Sequence, residues 1–151
     1  MAIAWVPDLN TGIDVIDQQH RRIVDFINDL EAAQVLGELQ QIKQVIEDCV
    51  DYTLSHFAFE ESLQEEAGYQ YCKPHKKVHE LFTRKVVEYQ ERLSMGDDIT
   101  GELHAMLARW LINHIKHDDA DYVSTVQANM APTMVVTEEK KKAGWFRKLF
   151  G

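Results

Sequence analysis

Leu39, Ile42, Ile46, Cys49, Thr53, His56, Glu60 and Leu63 recur at alternating steps of three and four, the spacing of one face of an α-helix. Such a stripe turns inward in a soluble protein. Yet it carries His56 and Glu60, four residues apart and so stacked one turn above the other, where aliphatic side chains are expected. A carboxylate is almost never buried alone, because its desolvation costs several kcal/mol. The chain must therefore fold so that other segments bring a compensating group to Glu60. A metal ion is the strongest such group.

Three further segments repeat the rhythm. Ile13, Ile16, His20, Ile23, Ile27 and Leu30 form the seam of a helix expected over about 13–34, with Asp14 and Asp17 in its first turn, where negative charge complements the helix dipole. His75, His79, Phe82, Val86, Tyr89 and Leu93 form another, from about Lys73, with Pro74 tolerated in the opening turn. Leu103, Leu107, Trp110 and His114 mark the fourth, expected over about 99–129 with Thr100 as its cap. Gly37, Gly68 and Gly96 fall at the ends of the first three patterns. Four amphipathic helices joined by short loops predict an all-α, antiparallel up-down-up-down four-helix bundle. An extended arm precedes it over residues 1–12. The bundle domain spans 1–130 and a C-terminal tail spans 131–151.

Composition closes off several classes. A net charge of −9 argues against general nucleic-acid affinity. No run of about 18 apolar residues offers a membrane span, and the N-terminal ten residues lack the pattern of an export signal. Two cysteines do not make a disulfide framework; Cys49 reads as a small core residue and Cys72 as surface. A cytoplasmic monomer is expected.

Five of the seven histidines occupy seam positions: His20, His56, His75, His79 and His114. His104 and His117 fall off the seam and read as surface residues. One inward histidine is ordinarily a hydrogen-bonded core residue. Five of them with Glu60 would leave too many buried polar groups competing for too few partners. The inward carboxylates are Glu60 and one from the run His117-Asp118-Asp119-Ala120-Asp121. Such a donor set exceeds the four ligands of a zinc site, and its imidazoles do not suit calcium or magnesium. Mixed nitrogen and oxygen donors, with carboxylates able to bridge, suit a pair of irons.

The order His20, His56-x-x-x-Glu60, His75-x-x-x-His79, His114-x-x-x-x-Asp119 resembles the hemerythrin family, most closely its single-domain bacterial form, and IAWVPDLNTGIDVIDQQH resembles the start of that family. The likeness covers roughly residues 3 to 125. It implies a non-haem diiron centre, bridged by an oxo or hydroxo group, with His75, His79 and His114 on one iron and His20 and His56 on the other. Glu60 and Asp119 would bridge both. The first iron would then be six-coordinate and the second five-coordinate, leaving one position where dioxygen binds end-on as hydroperoxide. Ile23, Phe57, Trp110, Leu111 and Ile115 would line an apolar dioxygen pocket; as plain sequence they are ordinary bundle core. Asp119 lies five residues after His114, about 140° round an α-helix. Asp118, at four, is geometrically easier. A ligand at Asp119 requires a π-type widening there.

The function implied is reversible dioxygen binding for transport, storage or delivery, with no catalytic residue. A diiron oxidase or peroxidase and an oxygen or redox sensor are the alternatives. Substrate-activating diiron bundles commonly carry paired Glu-x-x-His motifs, which this chain lacks, and a sensor needs an output domain. The tail adds a separate feature. Residues 138–151 carry a net +3, leaving −12 on the remainder, and Lys140, Lys141, Lys142, Arg147 and Lys148 are interleaved with Trp145, Phe146, Leu149 and Phe150. Such a segment suits a membrane surface, a membrane-bound oxygen consumer, or the acidic bundle itself.

Overall fold

Gly37 and Gly68 stop two of the long helices in the left-handed conformation, at φ 73° and 70°, each returning its N–H to carbonyls of the last turn. The computed structural model describes residues 2–130 and consists of helices and their connections, with no strand among those residues. The four helices are α1 (Asp14–Leu36), α2 (Leu39–Ala67), α3 (Cys72–Ser94) and α4 (Thr100–Asn113). After α4 the chain forms a π-helical turn, His114–Asp119, and resumes as α-helix over 120–130. α1 packs against α2 and α4, and α2 against α3, as an up-down-up-down four-helix bundle requires. None of these helices is long and apolar enough to cross a membrane. The basic-aromatic tail lies outside the described residues.

The seams face inward as the spacing predicts. Every seam residue of α1 and α3 is buried, and so are Ile42, Ile46, Cys49, Thr53, His56, Glu60 and Leu63 of α2. Each aliphatic or aromatic residue so buried contributes on the order of 1.5–3 kcal/mol. Leu39 is a correction: it opens α2 and is 51% exposed, one turn before the bundle closes over that face. Thr100 does not cap α4 either. The cap position is Ile99, and Thr100 is buried in the first turn. Trp110 is half-buried, because its flat ring lies along the bundle wall, stacked on Phe82 at 3.9 Å between centroids.

The arm is less extended than its sequence suggests. Pro7–Leu9 make a turn of 3₁₀-helix that buries Leu9, and Ile3 exchanges two backbone hydrogen bonds with the Asn28 side chain, at 2.8 and 3.0 Å. Asp17 fixes the junction with α1. Its carboxylate accepts from the Thr11 N–H and hydroxyl and from the Gly12 N–H at 2.7–3.1 Å. His104, expected at the surface, is half-buried and lies 3.7 Å from Glu31, whereas His117 is exposed. Cys72 is half-buried at the start of α3, not a surface residue.

Candidate metal centre

Side chains from all four helices meet at Glu60. The centre draws on α1 (His20), α2 (His56, Glu60), α3 (His75, His79) and the π turn that ends α4 (His114, Asp119), and each of the seven residues is at most 5% exposed. Glu60 Oε1 lies 2.6 Å from His75 Nε2, 3.2 Å from His79 Nε2 and 4.0 Å from His114 Nε2. Its other oxygen, Oε2, lies 3.2 Å from His56 Nε2 and 3.9 Å from His20 Nε2. Asp119 divides in the same way. Oδ1 is 3.3 Å from His75 and 3.2 Å from His114, and Oδ2 is 3.1 Å from His20. Each carboxylate thus turns one oxygen to a three-histidine group and the other to a two-histidine group.

The π turn makes this possible. An α-helix would carry Asp119 about 140° away from His114. A π turn has more residues per turn, so a step of five returns to the same face. Asp118 takes a different place: its Oδ2 pairs with His114 Nδ1 at 2.8 Å, on the side away from the cluster.

Other residues orient the remaining rings. Gln19 Oε1 accepts from His56 Nδ1 at 2.6 Å, which leaves Nε2 to point inward with a free lone pair. Glu61 Oε2 lies 3.5 Å from His79 Nδ1. Phe57 stacks on His79 at 3.8 Å and Trp110 on His114 at 4.3 Å, which restricts both rings. Gln19 is invisible to pattern reading, because it sits beside the seam rather than on it. Its polar character and its place next to His20 were the available signal.

The electrostatics fit a cation. Burial alone drives both carboxyls toward neutrality, but the surrounding imidazoles outweigh it and hold Glu60 and Asp119 below the usual carboxylate range. Burial likewise disfavours a charged His75, yet the close approach of the Asp119 and Glu60 carboxylates raises it to about 10. At His56 burial wins and the ring is held neutral-leaning, below its usual value. Both Asp119 oxygens and His20 Nε2 are buried without a hydrogen-bond partner, although they stand within ion-pair distance of one another. Orphaned polar atoms this deep cost about 1–3 kcal/mol each. Lone pairs converging on shared points, and not on each other, remove that cost when a metal occupies them. Two such points exist. One is surrounded by Glu60, His75, His79, His114 and Asp119, the other by His20, His56 and Glu60, with donor atoms in each group within 4.8 Å of one another.

Beside the two-histidine group lies a cavity of about 10 Å³. His20, His56 and His114 form its polar edge, and Ile23, Phe57, Trp110 and Leu111 are among the apolar residues that line the rest. Ile115, 2% exposed, is buried in the surrounding core.

The sequence matches the Hemerythrin HHE cation binding domain over residues 11–126. Bacteriohemerythrin of Pseudomonas aeruginosa is 52% identical over 146 residues, covering 97% of this chain and 94% of that protein. Bacteriohemerythrin of Stenotrophomonas maltophilia is 48% identical over 153 residues, covering 99% and 98%. A crystal structure of hemerythrin, in a leucine-to-tyrosine variant, matches with a TM-score of 0.79 at 25% identity, over 83% of this chain and 98% of that one. A donor set suited to two cations and a match over most of the sequence lead to one conclusion: this chain belongs to the hemerythrin family and is a non-haem iron-binding protein.

Proposed function

We propose that the chain binds dioxygen reversibly at a diiron centre held by His20, His56, Glu60, His75, His79, His114 and Asp119. It would serve as a carrier for transport, storage or delivery. The observation that carries this reading is the division of each carboxylate between a three-histidine and a two-histidine group, which suits two bridged cations of unequal coordination. A bound iron pair would supply the reversible two-electron chemistry toward dioxygen.

The chain supplies the rest. Gln19 and Asp118 hold His56 and His114 in the orientation that aims Nε2 inward. Three histidines and two carboxylates fill one side, while His20 and His56 border the cavity. Ile23, Phe57, Trp110 and Leu111 there, with Ile115 behind them, offer hydrocarbon and aromatic faces to an apolar diatomic gas. They also exclude the water and acids that assist irreversible oxidation.

The reading is tested by iron analysis followed by repeated anaerobic and aerobic cycling. Iron at two per chain with charge-transfer bands that appear in air and vanish under vacuum supports it. Irreversible conversion to the ferric form on first exposure favours a diiron oxidase instead. For the tail, the hypothesis is a membrane surface or a membrane-bound oxygen consumer. Liposome co-sedimentation of the full chain against one ending at Thr137 tests it, and equal partitioning ends it.

A further inference from the structure

Charge is spread unevenly over the helices. Residues 1–71 hold fourteen carboxylates against three cations, a net −11, whereas α3 holds six Lys or Arg against three Glu, a net +3. The first half of α3 is more biased still, with Lys73, Lys76, Lys77, Arg84 and Lys85 set against the single acid Glu80. All five cations are exposed. Lys73, Lys77, Leu81 and Arg84 follow one another at steps of four, four and three, which places them in one stripe along the helix. That stripe points away from the buried seam of His75, His79, Phe82, Val86, Tyr89 and Leu93.

The protein's own acids do not neutralise these cations. Lys76 approaches Glu61 at 4.0 Å, Lys77 approaches Glu80 at 3.6 Å and Lys85 approaches Glu88 at 3.6 Å, each lysine more than half exposed. Pairs so exposed hold a cation weakly. Lys73 and Arg84 have no ion-pair partner among the described residues. Glu61 and Glu65 of α2 approach α3 at Lys76 and Cys72, on its flank rather than on the stripe. Two large apolar side chains are exposed alongside: Leu81, 53% exposed, within the stripe, and Tyr71, 51% exposed, at the position that precedes α3. Met130 packs into the same core cluster as Cys72, the first residue of α3, so the basic-aromatic tail leaves the bundle at the end where the stripe begins.

A straight cationic stripe with apolar side chains at two points suits a flat anionic surface with hydrocarbon beneath it. Phospholipid headgroups offer that combination. The acidic remainder of the bundle does not prevent the contact. The Debye length at physiological ionic strength is about 8 Å and one helix is about 10 Å across, so charges on the far helices are screened. They orient the molecule instead, because acidic faces are repelled by the same surface. We propose that the outward face of α3, through Lys73, Lys77, Leu81 and Arg84, docks the bundle on an anionic phospholipid membrane. The proposal deepens the membrane hypothesis made above for the tail, but it stands on α3 alone. His75 and His79 lie on the opposite face of the helix, so docking leaves the candidate metal centre undisturbed.

The test is co-sedimentation of the full, iron-loaded chain with vesicles of phosphatidylcholine alone or of phosphatidylcholine mixed with an equal part of phosphatidylglycerol. We expect partitioning on the mixed vesicles only, falling as salt is raised. Each cation near such a surface contributes about a fivefold factor in affinity, so Lys77→Glu with Arg84→Glu should lower partitioning by at least about 20-fold. Arg22→Glu with Arg109→Glu changes net charge equally at exposed positions of α1 and α4, and should stay close to wild type. Leu81→Ser should weaken binding without altering its salt dependence. Circular dichroism and iron content, measured on every sample, report whether each variant keeps its fold. Undiminished binding of the α3 double variant refutes the proposal, as does a wild type that ignores mixed vesicles. Equal losses in both double variants refute it too, since net charge alone would then act. Binding that survives the α3 reversals but vanishes in the chain ending at Thr137 assigns the membrane to the tail and removes α3 from it. Loss confined to the α3 reversals upholds the docking face, whatever the tail contributes.

Discussion

The polar centre divides the bundle core into two unequal halves. The larger contains Ile23, Ile27, Leu30, Ile46, Phe57, Phe82, Leu103, Leu107 and Leu111 among others, and it touches the centre through hydrocarbon and aromatic faces. The smaller contains Ile13, Ile16, Phe59, Leu63, Tyr69, Tyr122 and Val126. It meets the centre through the Tyr122 hydroxyl on Glu60. One side of the same cluster is therefore dry, with a small void, and the other carries hydrogen bonds to a carboxylate. On the proposed function, a neutral apolar gas would enter from the first, while the second offers the carboxylate a hydrogen-bond donor. Packing on the two sides of the centre thus differs in polarity as well as in size.

That contrast can be broken at its boundary. Glu60→Gln removes charge from both oxygens that join the two histidine groups, and it should give the largest effect. We expect iron binding to weaken beyond the roughly 10–100-fold that follows loss of an outer hydrogen-bond partner. Metal analysis after dialysis checks it, and a variant that retains both irons would contradict the bridging role.

Gln19→Leu probes orientation with every donor intact. Without an acceptor at Nδ1, His56 can turn or take the other tautomer, and affinity should fall by about 10–100-fold. Competition with a calibrated chelator measures it, while the position of the oxygen-dependent bands should hardly move.

Leu111→Asn carries polarity into the dry half. A buried amide without partners costs about 1–3 kcal/mol of stability, and water brought to the cavity should speed autoxidation. Chemical denaturation and the decay rate of the oxygenated spectrum report the two effects. An unchanged decay rate would show that dryness of this half is irrelevant to reversibility.

Cys49 gives the mildest test. It lies in the larger half, 5% exposed, and burial raises its thiol from 9.0 to about 11. The folded state therefore keeps a proton that the unfolded chain releases. That stability is fully present below pH 9.0 and is lost as pH rises toward 11. Comparison with Cys49→Ala isolates the term, which should not exceed about 2–3 kcal/mol. Iodoacetamide should accordingly leave Cys49 unmodified in folded protein at pH 8.

Much of this architecture is legible before any coordinates. Three-and-four spacing places His20, His56, Glu60, His75, His79 and His114 inward, because burial of an apolar stripe dictates helix rotation whatever the loops do. The family resemblance, by favouring Asp119 over Asp118, also calls for a widened turn after His114. Contacts that depend on side-chain reach are not legible. Asp118 and Asp119 are chemically identical neighbours, and only the widened turn decides that one faces the centre while the other holds His114 from behind. Gln19 acts across from α1 to α2, a relation that periodicity within one helix cannot express. Leu39 obeys the spacing but sits beyond the end of the packed region, so the rule overreaches by one turn.

The widened turn at 114–119 also carries a phase. Everything after it, including Tyr122 and Val126, is set by the one surplus residue in that turn. Were the same residues wound as an ordinary α-helix, the last helical turns would swing by about 100°, carrying Asp119 off the cluster and both buried side chains out of their packing together. No exchange of one amino acid for another produces or repairs such a shift. Removing one of residues 115–118 would instead let the helix rewind normally, with a carboxylate four residues from His114 and Tyr122 and Val126 still facing the core.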